Sequence, residues 1–395
     1  MEVKIQTLTP IWTGGVETGK VDRIHETGLL GSLRWWMEVL VRGMGGVVCD
    51  PTAESDSCGE HSDRNSLDQK KYHQSQATDQ RQKLRDGGLF CDVSHIFGAT
   101  GWKRQFRLSV SEIKETSNWE RASLQITPQD RTRGWFLNPG WLGTFTLNFH
   151  GDPETLAKLY TLIRFMETYG SLGARPQLGY GIFRIVENPP ESKSTCLSYN
   201  QHDQQSVSEF PDLRTFTFFK LRFTPRKSTW WHTVPGIREL RGKRDSWAEL
   251  EQLAKNGTIP TTPALKNYLR YGQQWSNPAL PHWLFGTIRY EERLRSKVAF
   301  GWAYQLEDTK DWEIRGWVYL PQDKNGRIFR REIVNVFQDK LGKPQTWLTA
   351  LGLETTDYSA ANLTLLPRDK PWQIHSVSDV EAFLKNTVEE HSHDQ

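Results

Sequence analysis

Gly170-Ser171-Leu172-Gly173-Ala174-Arg175-Pro176-Gln177-Leu178-Gly179-Tyr180-Gly181 is the stretch on which the reading of this chain turns. Upstream, Asp152-Pro153-Glu154 opens a helix, with Asp152 as cap and Pro153 in the first turn, that runs to about Tyr169. Downstream, residues 182–186 alternate as a strand. Glycine frees the backbone for left-handed conformations and lets amides approach a ligand, and such loops cradle phosphates. The spacing is not that of a Walker loop, since no Gly-Lys-Ser/Thr follows. It is not a dinucleotide fingerprint either, because these glycines join a helix to the next strand and not a strand to the next helix. Arg175 supplies a guanidinium fork for phosphate, Gln177 lies beside it, and Tyr180 offers a ring for a base. The plainer alternative is a tight turn.

Working outward, residues 3–10 alternate as a first strand, and residues 29–44 place Leu30, Leu33, Met37, Leu40, Val41 and Met44 on one helical face. Residues 50–88 are polar and read as an insertion, with a helix around 67–84. Strands follow at 106–110 and 144–149. Pro189-Pro190 and the Ser, Gln and Asp residues after it mark a linker. Beyond it come a strand at 216–223, a helix at 263–271, strands at 297–306 and 312–320, and helices at 331–341 and 378–385. Each half runs strand, helix, strands, helix, strand. The expected fold is therefore α+β: two tandem ferredoxin-like (RRM-like, βαββαβ) domains, residues 1–190 and 213–395, joined by a linker at 191–212, with the polar insertion 50–88 in the first.

The 395 residues, 36% hydrophobic and 25% charged, suit two globular domains. No apolar run is long enough for a bilayer, and the N-terminus lacks a signal peptide's apolar region, so no membrane and a cytoplasmic location are expected. Four cysteines (Cys49, Cys58, Cys91, Cys196) in such a chain argue against a disulfide framework. Net charge is only +3, yet residues 213–300 hold 16 basic against 6 acidic groups. Charge so concentrated points to a polyanion, or to a solvated basic face.

Several basic groups are candidate RNA contacts. Lys103, Arg104 and Arg107 surround Trp102 and Phe106, the two aromatics reading as core. Arg131 and Arg133 precede Gly134-Trp135-Phe136. Arg34 lies beside Trp35 and Trp36, with Glu38 four residues on. Arg289, Arg293, Arg295 and Lys297 cluster in the second half, as do Arg238, Arg241, Lys243 and Arg244. Cys49, Cys58, Cys91 and His95 form a candidate tetrad for structural zinc, with His61 as a substitute for His95; four protein ligands would leave no open position for catalysis.

Three motifs give a resemblance: Thr9-Pro10-Ile11-Trp12-Thr13-Gly14-Gly15, Glu26-Thr27-Gly28-Leu29-Leu30-Gly31-Ser32-Leu33-Arg34-Trp35-Trp36, and Ile96-Phe97-Gly98-Ala99-Thr100-Gly101-Trp102-Lys103-Arg104-Gln105-Phe106-Arg107-Leu108. With the glycine loop, they resemble the RAMP superfamily of CRISPR-associated proteins, and more narrowly the first RAMP subunit of Cmr-type (type III-B) effectors. Leu284-Phe285-Gly286-Thr287-Ile288 echoes them in the second half. The resemblance implies a non-catalytic subunit that caps the head of the complex. It also implies contacts with guide RNA, target RNA and other Cmr subunits, and no required cofactor. An alternative within the family is an endoribonuclease with His25 as general base and Arg23 and Lys20 stabilising charge. Seventeen tryptophans raise carbohydrate binding as another class, but they form no spaced row with acids.

Overall fold

The computed structural model describes residues 1–17, 19–49, 69–78, 83–84, 87, 90–99, 102–117, 123–128, 133–187, 207, 209–287, 294–320, 322–368 and 371–390. The first half holds β1 (Glu2–Thr7), α1 (Glu26–Gly43), α2 (Gln69–Gln74), α3 (Asp92–Phe97), β2 (Arg107–Ser117), β3 (Leu124–Ile126), β4 (Trp135–Leu137), β5 (Leu142–His150), α4 (Pro153–Tyr169) and β6 (Phe183–Glu187). The second half holds β7 (Phe216–Pro225), α5 (Arg244–Lys255), β8 (Thr258–Ile259), α6 (Thr262–Tyr271), α7 (Leu280–Phe285), β9 (Val298–Phe300), β10 (Ala303–Gln305), β11 (Trp312–Tyr319), α8 (Lys324–Val336), α9 (Pro344–Ala350), β12 (Tyr358–Leu366) and α10 (Val377–Glu390). The chain is thus α+β, as expected.

Local chemistry explains the elements that frame the site. Val3 and Ile5 of β1 point inward while Lys4 and Gln6 point out, so the strand has one wet face. The Asp152 carboxylate accepts from the Thr155 amide at 2.9 Å, and Pro153 fills the first turn, which starts α4 where the sequence signal lies. β1 lies between β5 and β6, and β2 forms the edge beyond β5; every pairing is antiparallel. The larger sheet runs β12-β7-β11-β10-β8, with β9 also on β11, so β7 sits between β12 and β11 as β1 sits between β6 and β5.

β7 is apolar on both sides because both sides are covered. Phe216 and Phe218 join the core of α1 and α4, whereas Phe219, Leu221 and Phe223 join a second core under α6 and α9. Trp36 of α1, 1% exposed, is the centre of the seam, with rings of Trp35, Phe165, Phe216 and Trp317 at centroid distances of 4.6, 5.6, 5.9 and 5.9 Å. α1 and α4 are therefore packed between the two sheets. Asp212, expected at the end of a linker, is instead buried and ion-paired to Arg214 at 2.7 Å. The rest of 191–212 falls mostly outside the described residues.

Some elements differ from the sequence reading. β2 runs to Ser117, not 110; α8 starts at Lys324, not 331; and α5 has no counterpart in the sequence reading. β12 had no sequence signal, because as an edge strand it is only partly buried and its polar–apolar alternation is weak. Most of the expected helix 67–84 lies outside the described residues; α2 is the part seen.

Candidate nucleic-acid interface

The glycine loop is built to close on itself. Gly173 and Gly181 have φ of +79° and +89°, and a side chain at either would collide with a carbonyl, of Trp12 and of Leu172 respectively. Their amides are already used: Gly173 donates to Ser32 Oγ at 2.9 Å, Ala174 to the Trp12 carbonyl at 2.6 Å, and Gly181 to the Pro10 carbonyl at 2.8 Å. Leu172, Leu178 and Gly179 also donate to backbone carbonyls. An amide cradle for phosphate, expected from the sequence, is thus corrected. The glycines let the loop dock against the exit of β1, and Trp302 Nε1 of the second half ties it down through the Leu178 carbonyl at 2.8 Å.

What the loop presents is Arg175. It is held at φ +63°, a conformation that costs a non-glycine residue, and its guanidinium carbon sits 3.7 Å above the Trp12 ring. It is half-buried, and burial lowers its pKa; no carboxylate pairs with it among the described residues. A guanidinium held over an indole, with no carboxylate partner among the described residues, suits a phosphate or a base edge. Gln177 lies two residues on, half-buried. Trp12, the ring under Arg175, was quoted in a motif but not read as part of a site; its place beside Gly14-Gly15 is the signal that could have found it.

Tyr180 is corrected. It is 1% exposed, with its hydroxyl donating to the Asn138 carbonyl at 2.6 Å and its ring between Trp12 and Trp302, centroids at 6.0 and 5.3 Å. Burial pushes its phenol well above the usual range. It is a pillar beneath the loop and not a platform for a base.

Lys103, four residues before β2, and Arg107, its first residue, are exposed, and neither forms an ion pair among the described residues. Arg104 between them is spent: its Nε donates to the Phe106 carbonyl at 2.7 Å and its guanidinium covers the Phe106 ring at 5.1 Å. Trp102 stacks on Phe90 at 4.5 Å and Phe106 is buried, so both aromatics are core. Arg107 opens onto the outer face of the first sheet, where Ser109, Ser111, Asn148, Thr146, Lys4 and Gln6 share registers. An RRM-like platform stacks bases on aromatic rings; this face instead offers hydroxyls, amides and charges.

Two other candidates are structural. The Arg34 guanidinium donates to Glu38, to the Gly98 carbonyl at 2.8 Å and to Ser94 Oγ at 3.0 Å, clamping α1 to α3. Lys297 is buried, donates to the Trp283 carbonyl at 3.1 Å and has its pKa lowered by burial. Neither reaches a surface strand of RNA. Arg133 and Arg295 are exposed. Arg131, Arg289 and Arg293 lie outside the described residues. Among the described residues the tryptophans do not form a sugar-stacking row: Trp12, Trp36, Trp230, Trp231, Trp302 and Trp347 are all buried.

Cys91 caps α3, its sulfur accepting from the Ser94 amide at 3.3 Å, with Cys49 Sγ 3.3 Å away. Cys49 is disulfide-bonded, which the sequence reading did not anticipate, and so offers no thiolate. Cys58 and His61 lie outside the described residues. Among the described residues, no group of three or more His, Cys, Asp or Glu is placed to hold a metal ion. His25 Nε2 lies 2.7 Å from Asp22 Oδ1; Arg23 pairs with Glu26 and Lys20 with Glu17. Among the described residues, no helix is long and apolar enough to cross a membrane.

Residues 4–184 match the sequence profile of the RAMP superfamily. Among solved structures the chain is similar to Cmr1 from Pyrococcus furiosus in its apo form, at 16% identity and TM-score 0.40 over 81% of this chain and 88% of that one. It is also similar to a chain of the type III-B Cmr-beta complex bound to cognate target RNA, at 12% identity and TM-score 0.39 over 89% of this chain and 99% of that one. No curated protein matches.

Proposed function

We propose that this chain, whose residues 4–184 match the RAMP superfamily profile, is a non-catalytic RNA-binding subunit of a Cmr-type, type III-B CRISPR effector, built as tandem ferredoxin-like domains. In that role it caps the head of the complex in the cytoplasm, contacts the guide RNA 3′ end, the target RNA or both, and docks on other Cmr-type subunits. Arg175 carries the reading: a cation with no carboxylate partner among the described residues, held over Trp12 by a loop whose glycine amides are consumed. Lys103 and Arg107, with Arg133 and Arg295 as further exposed cations, supply the phosphate contacts that such a strand needs. Recognition by backbone and shape leaves sequence to guide–target pairing.

Filter binding of single-stranded RNA at two salt concentrations, against a neutral polysaccharide, tests this. The expected result is RNA binding that falls steeply with salt and no polysaccharide binding; polysaccharide binding without RNA binding would sink the reading.

One observation favours a second reading. The Asp22 carboxylate orients His25 at 2.7 Å, as a general base in an endoribonuclease would be oriented. Incubating purified protein with a guide-repeat RNA separates the two. The first reading expects intact RNA; cleavage that His25→Ala abolishes would establish the second.

A further inference from the structure

The basic run Arg238, Arg241, Lys243 and Arg244 stands apart from the loop that carries Arg175. Residues 226–244 hold six basic groups, Arg226 and Lys227 being the other two, against one acid, Glu239. The fold sorts this stretch by polarity. Val234, Ile237 and Leu240, three residues apart, sink into the second core, while all six cations are exposed. Arg238–Leu240 is a single 3₁₀ turn, and its three-residue pitch keeps the two sets apart. Arg238 pairs with Glu239 at 2.7 Å, but Arg226, Lys227, Arg241, Lys243 and Arg244 form no ion pair among the described residues. The Arg241 guanidinium carbon lies 5.7 Å from the centre of the Trp247 ring on α5, as Arg175 lies over Trp12. Trp247 is fixed in turn by the Trp231 ring at 5.1 Å and by its own N–H, which donates to Glu251 at 3.0 Å. Cations gathered in so short a stretch repel one another, and a polyanion relieves that cost.

Among the described residues, no exposed large apolar side chain falls within 226–247. A protein partner would find no apolar centre to bury there, whereas phosphates need none. The β3–β4 hairpin joins this surface to the first one. Gly236, at φ +90°, packs so closely on Ile126, the last residue of β3, that a side chain would collide with it. Arg133, exposed, lies in the segment joining β3 to β4. At the opposite end of the hairpin, the Asn138 carbonyl accepts from Tyr180, the pillar beneath the loop that carries Arg175. We propose that Arg241, Lys243 and Arg244 form the centre of a second phosphate-binding surface, which takes the RNA strand on from Arg133. This rests on the RNA-binding reading and extends its footprint into the second half.

The test titrates labelled single-stranded RNA into the full chain across a salt series, for wild type, Arg241→Ala/Lys243→Ala, Arg175→Ala and the control Lys324→Ala/Arg331→Ala. The control removes two exposed cations of α8, which likewise form no ion pair among the described residues. Arg241→Ala/Lys243→Ala is expected to lose roughly tenfold in affinity and to lower the logarithmic salt slope by about two. The control is expected to keep wild-type affinity and slope. Both double variants should melt at the wild-type temperature, so that weaker binding is not unfolding. Should Arg241→Ala/Lys243→Ala unfold through loss of the Trp247 contact, Lys243→Ala/Arg244→Ala leaves that contact in place and decides alone. Wild-type affinity and slope in Arg241→Ala/Lys243→Ala, with Arg175→Ala weakened, would overturn the second surface and leave the RNA reading standing. An equal loss in the control would also overturn it, since net charge alone would then account for the effect. Absence of RNA binding by the wild type would overturn both.

Discussion

At the residue scale, Arg175 combines a strained backbone with a charge that has no carboxylate partner among the described residues. Arg175→Ala removes the guanidinium and keeps a side chain at positive φ, whereas Arg175→Gly removes both. The glycine variant should be the more stable of the two by about 1 kcal/mol in chemical denaturation. Both should bind RNA more weakly than wild type, which separates strain from function. Lys266 gives a prediction with a definite sign. Burial and the neighbouring Arg270 hold its folded pKa at about 7, below the ordinary lysine value of about 10.5. Between those values the unfolded chain holds the extra proton, so this group's contribution to stability rises with pH, by at most about 1.4 kcal/mol per unit. Below pH 7 the contribution is level. Denaturant melts at pH 7 and pH 9 should show the rise in wild type and not in Lys266→Met. Arg270, also cationic throughout that window, does not alter the sign.

At the element scale, the glycine loop is the most exacting piece of chain. Gly181→Ala forces a Cβ into the Leu172 carbonyl at φ +89° and should cost several kcal/mol, read as a large drop in melting temperature. By contrast Asp152→Ala removes one cap of α4 and should cost about 1 kcal/mol. Both positions were legible in the sequence, since Gly, Asp and Pro act through backbone chemistry that needs no partner. The same holds for β1 and α1, whose apolar periods mark their buried faces. The roles of Arg34, Tyr180 and Lys297 were not legible. Each is polar and lies in or beside a motif, and only three-dimensional partners such as Gly98, Asn138 and Trp283 reveal a structural task. The Lys266–Trp135 pair was hidden for the same reason: about 130 residues of sequence separate two groups that meet across the seam between the halves.

At the scale of the whole molecule, α1 and α4 serve two sheets at once. Trp36→Ala should therefore cost about 3–5 kcal/mol, and the loss should appear in every probe of unfolding, in either half, as one transition. Charge acts at this scale too. Neutralising Lys103 and Arg107 together should reduce the salt slope of RNA binding by about two, whatever the RNA sequence. The burial of β7 on both faces has a practical corollary. A fragment ending near residue 190 would leave Trp35 and Trp36 facing water, and a fragment starting near 213 would uncover Phe216, Phe218 and Trp317. Neither piece alone should stay in solution, whereas the two produced together should find each other. Borders drawn from sequence would be the wrong places to cut.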